Sequence, residues 1–121
     1  MLVPEKIPLC GLSRGDLEAL TERLLAENAA LKQAVAELRA AGAVCLNQCP
    51  VTAGINDDPE VLAALFQRCT EAGCPQYYVF QCRPTIGTAH FVLPIVRVAD
   101  VVEQARARVS GLSRRARFCL S

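Results

Sequence analysis

The sequence is poor in net charge: thirteen Lys and Arg against twelve Asp and Glu leave +1 over 121 residues. That balance excludes the basic footprint of a nucleic-acid or anionic-membrane binder. Long apolar runs are also missing. The longest covers about seven residues, Ala40 to Leu46, far below the ~20 needed to span a bilayer. The N-terminus, MLVPEKIPLC, has an acid and a proline where a secretory signal carries its basic and apolar regions, which implies a cytoplasmic chain. Histidine is nearly absent. The single His90 has no acid or cysteine beside it, so it reads as a surface or loop-packing residue and carries no assigned role.

Seven cysteines stand against these scarcities. Without a secretory signal, a disulfide framework is excluded as an expectation. A metal or cluster site is one reading, and small, reduced, buried hydrophobes the other. The spacings favour the second, and no metal-ligand set is assigned. The 52% hydrophobic and 21% charged residues describe a folded chain with room for one small core.

Along the chain, residues 1–15 show no helical or strand period and read as a loop. A long helical pattern follows from Asp16, a candidate N-cap, to Ala41, with Gly42 as its stop. Leu17, Leu24, Leu31 and Leu38 recur every seven residues, with Leu20 and Ala34 between them and Glu27 and Asn28 interrupting the seam. Such a helix either lies on a sheet by its apolar stripe or pairs as a zipper. Ala43 to Val51 has the composition of a short buried strand. Asp57-Asp-Pro-Glu then starts a helix, with Asp58 at the N-cap, Pro59 at N1 and Val61, Leu62, Leu65 and Phe66 as its apolar face, ended by Gly73. Gln76 to Cys82 is a second strand, Ile95 to Val109 a third helix, and Ala116 to Leu120 a third strand.

Helices alternating with strands predict parallel pairing through right-handed crossovers, in units of about thirty residues. The fold class is therefore α/β, either an open wound sheet or an arc of a (β/α) barrel. Ligands of such folds sit at the carboxyl ends of strands. Asn47, Gln48 and Cys49 are placed there on the first strand, and Gln81, Cys82 and Arg83 on the second. Polar amides and a cation ending apolar strands suggest a site, and equally they suggest amides that satisfy nearby backbone.

Longer motifs narrow this. Leu46-Asn-Gln-Cys-Pro-Val-Thr-Ala-Gly-Ile-Asn-Asp-Asp-Pro-Glu-Val resembles the Asn-Gln…Gly-Val-Asn-Asp segment of the lysine 2,3-aminomutases. Pro75-Gln-Tyr-Tyr-Val-Phe-Gln-Cys-Arg-Pro-Thr-Ile-Gly-Thr-Ala-His-Phe resembles their Pro-Tyr-Tyr-x-x-Gln-Cys segment with the subsequent Gly and His-Phe. Ser110-Gly-Leu and Arg115-Ala-Arg-Phe are similar to the next segment in one branch of the family. The likeness runs over about 30–121, nearly without gaps, and leaves residues 1–26 unmatched.

The resemblance implies a partial (β/α) barrel: about three parallel strands alternating with three helices, with the long N-terminal helix first, spanning 16–121. In that family a [4Fe–4S] cluster cleaves S-adenosylmethionine to a 5′-deoxyadenosyl radical, and pyridoxal phosphate carries the migrating amino group. Carried over, Gln48 and the adjacent Asn47 stand at the adenosylmethionine position and Phe80 beside the pyridoxal. Arg83, with Gln81, stands where lysine-specific members bind the substrate's far ammonium through an Asp. The family's Cys-x-x-x-Cys-x-x-Cys loop is missing, since Cys45 and Cys49 are followed by Thr52. The only lysines are Lys6 and Lys32, and the chain stops before the family's pyridoxal lysine. The expectation is a truncated portion of an amino acid 2,3-aminomutase, inactive alone, with no catalytic residue and no cofactor of its own. Its expected partner is an upstream cluster-bearing chain, as in a split enzyme, or a second copy. The rival expectation is a non-enzymatic module that dimerises through the Leu heptad helix 17–38.

Overall fold

The computed structural model describes residues 13–120, and the first expected segment, up to residue 12, lies outside them. The described chain begins with a reciprocal cap. The Ser13 hydroxyl accepts from the Asp16 amide at 3.1 Å, and the Asp16 carboxylate accepts from the Ser13 amide at 3.1 Å. This is a capping box. It starts helix α1 at Arg14 and not at Asp16, because Asp16 serves as the third helical residue of the box and Ser13 as its cap. The bond from the Ser13 amide holds the Asp16 carboxyl below its usual range. Helix α1 runs Arg14–Ala40 and buries none of its residues. Leu17, Leu24, Leu31 and Leu38 are all exposed.

The chain divides into two compact units, one ending at Ala34 and one from Val35 onward. The second unit holds three parallel strands, β1 (Asn47–Val51), β2 (Gln76–Gln81) and β3 (Arg117–Cys119), in the order β1-β2-β3. Helix α2 (Pro59–Glu71) connects the first two, and α3 (Ile95–Ala107), flanked by short 3-10 turns at Ala89–Phe91 and Gly111–Arg115, connects the last two. This is the α/β architecture expected of a partial barrel.

Helix α2 starts as its sequence requires. The Asp58 carboxylate accepts from the amides of Glu60 at 2.7 Å and Val61 at 3.3 Å, with Pro59 at the first helical position. It ends in a left-handed turn. Gly73 has φ +85°, and the Cys74 amide returns to the Cys69 carbonyl at 2.9 Å while Gly73 bonds Thr70 at 3.0 Å. That double closure is a Schellman motif, which glycine enters without a Cβ penalty.

Strand β1 is shorter than the Ala43–Val51 run. Pairing begins at Asn47 opposite Gln76, and the Asn47 amide bonds the Pro75 carbonyl at 3.0 Å. Below that level Pro75 has no N–H to extend the ladder. Asn47 and Gln48 therefore open β1, and its carboxyl end is Val51. Placing Asn47, Gln48 and Cys49 at the carboxyl end of the strand is corrected by this register.

One face of the sheet carries the core. Val51 and Val79 are fully buried under Leu62 and Phe66 of α2 and Val98, Val101, Val102 and Ala105 of α3, with Ala63 and Ala116 completing the cluster. Valines and alanines facing a sheet let two helices approach closely, and burial of each larger side chain contributes about 1.5–3 kcal/mol.

Candidate functional site on the open sheet face

Side chains alternate across a strand. Cys49 and Val51 of β1 and Phe118 of β3 turn toward the core, so Gln48, Pro50, Arg117 and Cys119 take the other face. Tyr78 and Phe80 of β2 join them. Their rings lie 5.8 Å apart, Gln48 pairs with Tyr78, Pro50 with Phe80, and Arg117 and Cys119 pair with the same two aromatics from the other side. This face lies away from α2 and α3 and corresponds to the inner wall of a barrel. The Tyr78 hydroxyl donates to Tyr77 at 3.3 Å, and that bond pushes the Tyr78 phenol up.

The candidate residues separate on this geometry. Gln48 and Phe80 share the open face, with Gln48 two residue levels below Phe80, roughly 7 Å along the strands. Asn47 is on the opposite face. Its side-chain amide donates to Gln76 at 2.7 Å and to the Cys69 sulfur on α2 at 3.6 Å. Gln81 also turns inward, donating to the Leu93 carbonyl at 2.9 Å. Arg83 is exposed two residues beyond the end of β2. His90 stacks on Phe91 with ring centroids 3.9 Å apart in the loop after β2.

Two polar constellations escaped the sequence reading. The first is Gln76, 2% exposed, which accepts from Asn47 and donates to the Tyr78 carbonyl at 2.7 Å and the Cys49 sulfur at 3.4 Å. The only available signal was a polar residue opening an apolar strand. The second is the loop after β1. Asn56 accepts from the Thr52 amide at 2.7 Å and donates to the Pro50 carbonyl at 2.9 Å, while Asp57 accepts from the Gly54 amide at 3.1 Å. Gly54 holds φ +78° there. Ala53 donates to the Phe91 carbonyl at 3.0 Å, which ties this loop to the one after β2. The Gly-Ile-Asn-Asp motif thus builds the rim at the carboxyl ends of the strands.

The thiols of the described residues do not assemble a cluster site. Cys45 lies outside β1 and Cys49 turns to the helix side. Burial, then the neighbouring Cys69, pushes the Cys49 thiol up to about 11. Cys69 and Cys74 are also raised, each first by burial. No three His, Cys, Asp or Glu side chains converge as a metal site among the described residues. No lysine stands between 33 and 121 to hold a pyridoxal by a covalent bond. Gln48, with an exposed amide on the open face, is compatible with an adenosylmethionine contact.

No family model matches the chain. Individual proteins do. A protein of Aquifex aeolicus, provisionally named an L-lysine 2,3-aminomutase, is 44% identical over 90 residues, which are 74% of this chain and 24% of that protein. The chain carries a segment of the lysine 2,3-aminomutase family. The L-lysine 2,3-aminomutase of Acetoanaerobium sticklandii is 31% identical over 80 residues, 66% of this chain and 19% of its own. That of Bacillus subtilis is 32% identical over 79 residues, 65% of this chain and 17% of its own. The chain thus spans a quarter or less of these aminomutases. Among the described residues no helix is long and apolar enough to cross a membrane.

Proposed function

We propose that this segment forms one arc of the substrate barrel of a radical S-adenosylmethionine, pyridoxal-phosphate-dependent amino acid 2,3-aminomutase, and that it is inactive without the rest of that barrel. The observation that carries the reading is that Gln48 and Phe80 share the face turned away from the helices, in a chain similar to named aminomutases. When bound in such enzymes, adenosylmethionine on a [4Fe–4S] cluster supplies the radical that starts a 1,2-amino shift. Gln48 orients adenosylmethionine through its side-chain amide. Phe80, its ring 5.8 Å from that of Tyr78 and tilted against it, gives the pyridoxal ring an apolar wall and excludes water from it. The cluster is held by other residues than these, in the same polypeptide or in a companion chain.

Arg83 sets the substrate class. A guanidinium beyond the end of β2 disfavours a second substrate ammonium beside it. It suits a carboxylate or a neutral polar end. The reading is therefore an amino shift on an amino acid other than lysine.

A chimera tests both statements. In the Aquifex aeolicus relative, the matched segment is replaced by that of this chain, and the cluster is reconstituted and counted by iron content. The expected result is cleavage of adenosylmethionine to 5′-deoxyadenosine with weak lysine turnover, raised about tenfold or more by Arg83→Asp, the equivalent of ~1.4 kcal/mol. Gln48→Ala should weaken adenosylmethionine binding. A loaded chimera that releases no 5′-deoxyadenosine refutes the barrel reading. Equal lysine turnover with Arg83 and with Asp refutes the substrate reading alone.

A further inference from the structure

Helix α1 is the part of the chain that the aminomutase reading does not use, and its exposed leucines form a seam. Leu17, Leu24, Leu31 and Leu38 are 44%, 51%, 65% and 54% exposed, one per heptad along a helix of 27 residues, about 40 Å long. With these leucines at the d positions, the a positions are Arg14 at the first helical residue, then Thr21, Asn28 and Val35. Leucine at d with β-branched residues at a is the pattern of two-stranded parallel coiled coils, and one asparagine at a selects register and dimer at a cost in stability. The interruption at Asn28 is then part of the pattern.

The flanks agree. The g positions are Leu20, Glu27 and Ala34, and the e positions Glu18, Leu25, Lys32 and Arg39. In a parallel, in-register pair each g residue meets the e residue five places on in the other copy. Leu20 then meets Leu25, and Glu27 meets Lys32, giving two attractive ion pairs per dimer. Glu27 already accepts from Arg23 on its own helix at 3.3 Å, and a carboxylate has room for a second cation. An antiparallel pair centred on the same residues would bring Glu27 against Glu27 and set the Asn28 amide against leucine. Both charge and the buried amide thus select one orientation.

We propose that α1 is a homodimerisation element: two copies of this chain pair in parallel and in register along Leu17, Leu24, Leu31 and Leu38, with Asn28 bonded to Asn28 of the second copy. This stands independently of the aminomutase reading.

Sedimentation of the full chain, from about 1 to about 100 µM, should show a monomer–dimer equilibrium within the range that such interfaces reach. Leu24→Glu with Leu31→Glu should leave a monomer, with circular dichroism confirming that the α/β unit is still folded. Lys32→Glu should raise the dissociation constant by about three- to tenfold, as expected for two exposed ion pairs exchanged for like charges, and Glu27→Lys with Lys32→Glu should restore it. Asn28→Leu should add higher assemblies. A chain that stays monomeric throughout overturns the proposal, as does a dimer indifferent to the two glutamates at 24 and 31. A dimer that responds to them and ignores Lys32→Glu overturns the parallel register.

Discussion

Helix α1 and the α/β unit have similar helical signatures in sequence and opposite fates in structure. Helix α2, half as long as α1, buries Leu62, Ala63 and Phe66, whereas α1 buries nothing. The difference is in what surrounds each apolar stripe. Residues 61–66 sit between strands that supply Val51 and Val79, and α3 adds Val98, Val101 and Val102 to the same layer. The stripe of α1 repeats every seven residues, a period suited to a second helix. Periodicity reveals that a face is apolar, and the elements packed around it decide whether it is buried.

The largest test of this contrast is a pair of truncations. Phe66→Ala should destabilise the α/β unit by about 3–5 kcal/mol through the lost transfer energy and a residual cavity. Leu31→Ala should change the stability of that unit by no more than about 0.5 kcal/mol. Urea unfolding followed by the fluorescence of Tyr77 and Tyr78, both on β2, reads this unit. A comparable loss from Leu31→Ala breaks the comparison.

A second test concerns polar cement within the α/β unit. Gln76→Ala removes the acceptor of Asn47 and the donors to Tyr78 and Cys49. Leaving a buried group unpaired costs about 1–3 kcal/mol, so the urea midpoint should fall, less than for Phe66→Ala. Asn47→Ala in the same background should add little, because the two amides act as one pair.

The thiol of Cys49 gives a pH signature confined to the folded unit. Its pKa is raised to about 11 from the ordinary 9.0, by burial first. A raised folded pKa contributes stability that is complete below the unfolded value and is lost as pH rises through the folded one. Stability should therefore decline between about pH 9 and about pH 11, and Cys49→Ala should flatten that decline. Alkylation mass spectrometry should find Cys49 slower to react at pH 8 than after unfolding, and equal rates would contradict its burial.

The smallest effect belongs to α1. The Asp16 carboxyl is held below 3.8 by its bond from Ser13. A depressed folded pKa contributes stability above the unfolded value that is lost as pH falls through the folded one. Helical circular dichroism should fray slightly below pH ~4, and Asp16→Asn, which removes the titrating carboxyl, should remove that step while leaving the α/β unit unchanged.

Much of this was legible without coordinates. Asp58-Pro59 announced a helix start and Gly73 its end, because caps and left-handed turns are local chemistry within a few residues. Alternation of helices with β-branched and aromatic runs announced parallel strands. The cap of α1 was misplaced by three residues, since Ser13 and Asp16 are both good caps and only their reciprocal bonding distinguishes them.

The candidate site was less legible for a geometric reason. Resemblance named Asn47, Gln48, Phe80, Gln81 and Arg83 together. A strand sends neighbours to opposite faces, so adjacent residues in sequence cannot both reach one site. Gln48 and Phe80 were sorted to the open face, Asn47 and Gln81 to the helices, once the register opposite Gln76 and Val51 was set. That register depends on where pairing starts, and it starts at Asn47 because Pro75 ends the ladder there.

Local patterns of caps, periods and motifs were enough to set the elements, their order and the family likeness. Only the folded arrangement decided which face each strand residue takes, that Gln76 is buried as an amide hub, and that the leucines of α1 stay exposed. The strand faces and the amide hub depend on which backbone lies opposite which across the sheet, a relation between residues about thirty positions apart that no window of sequence contains.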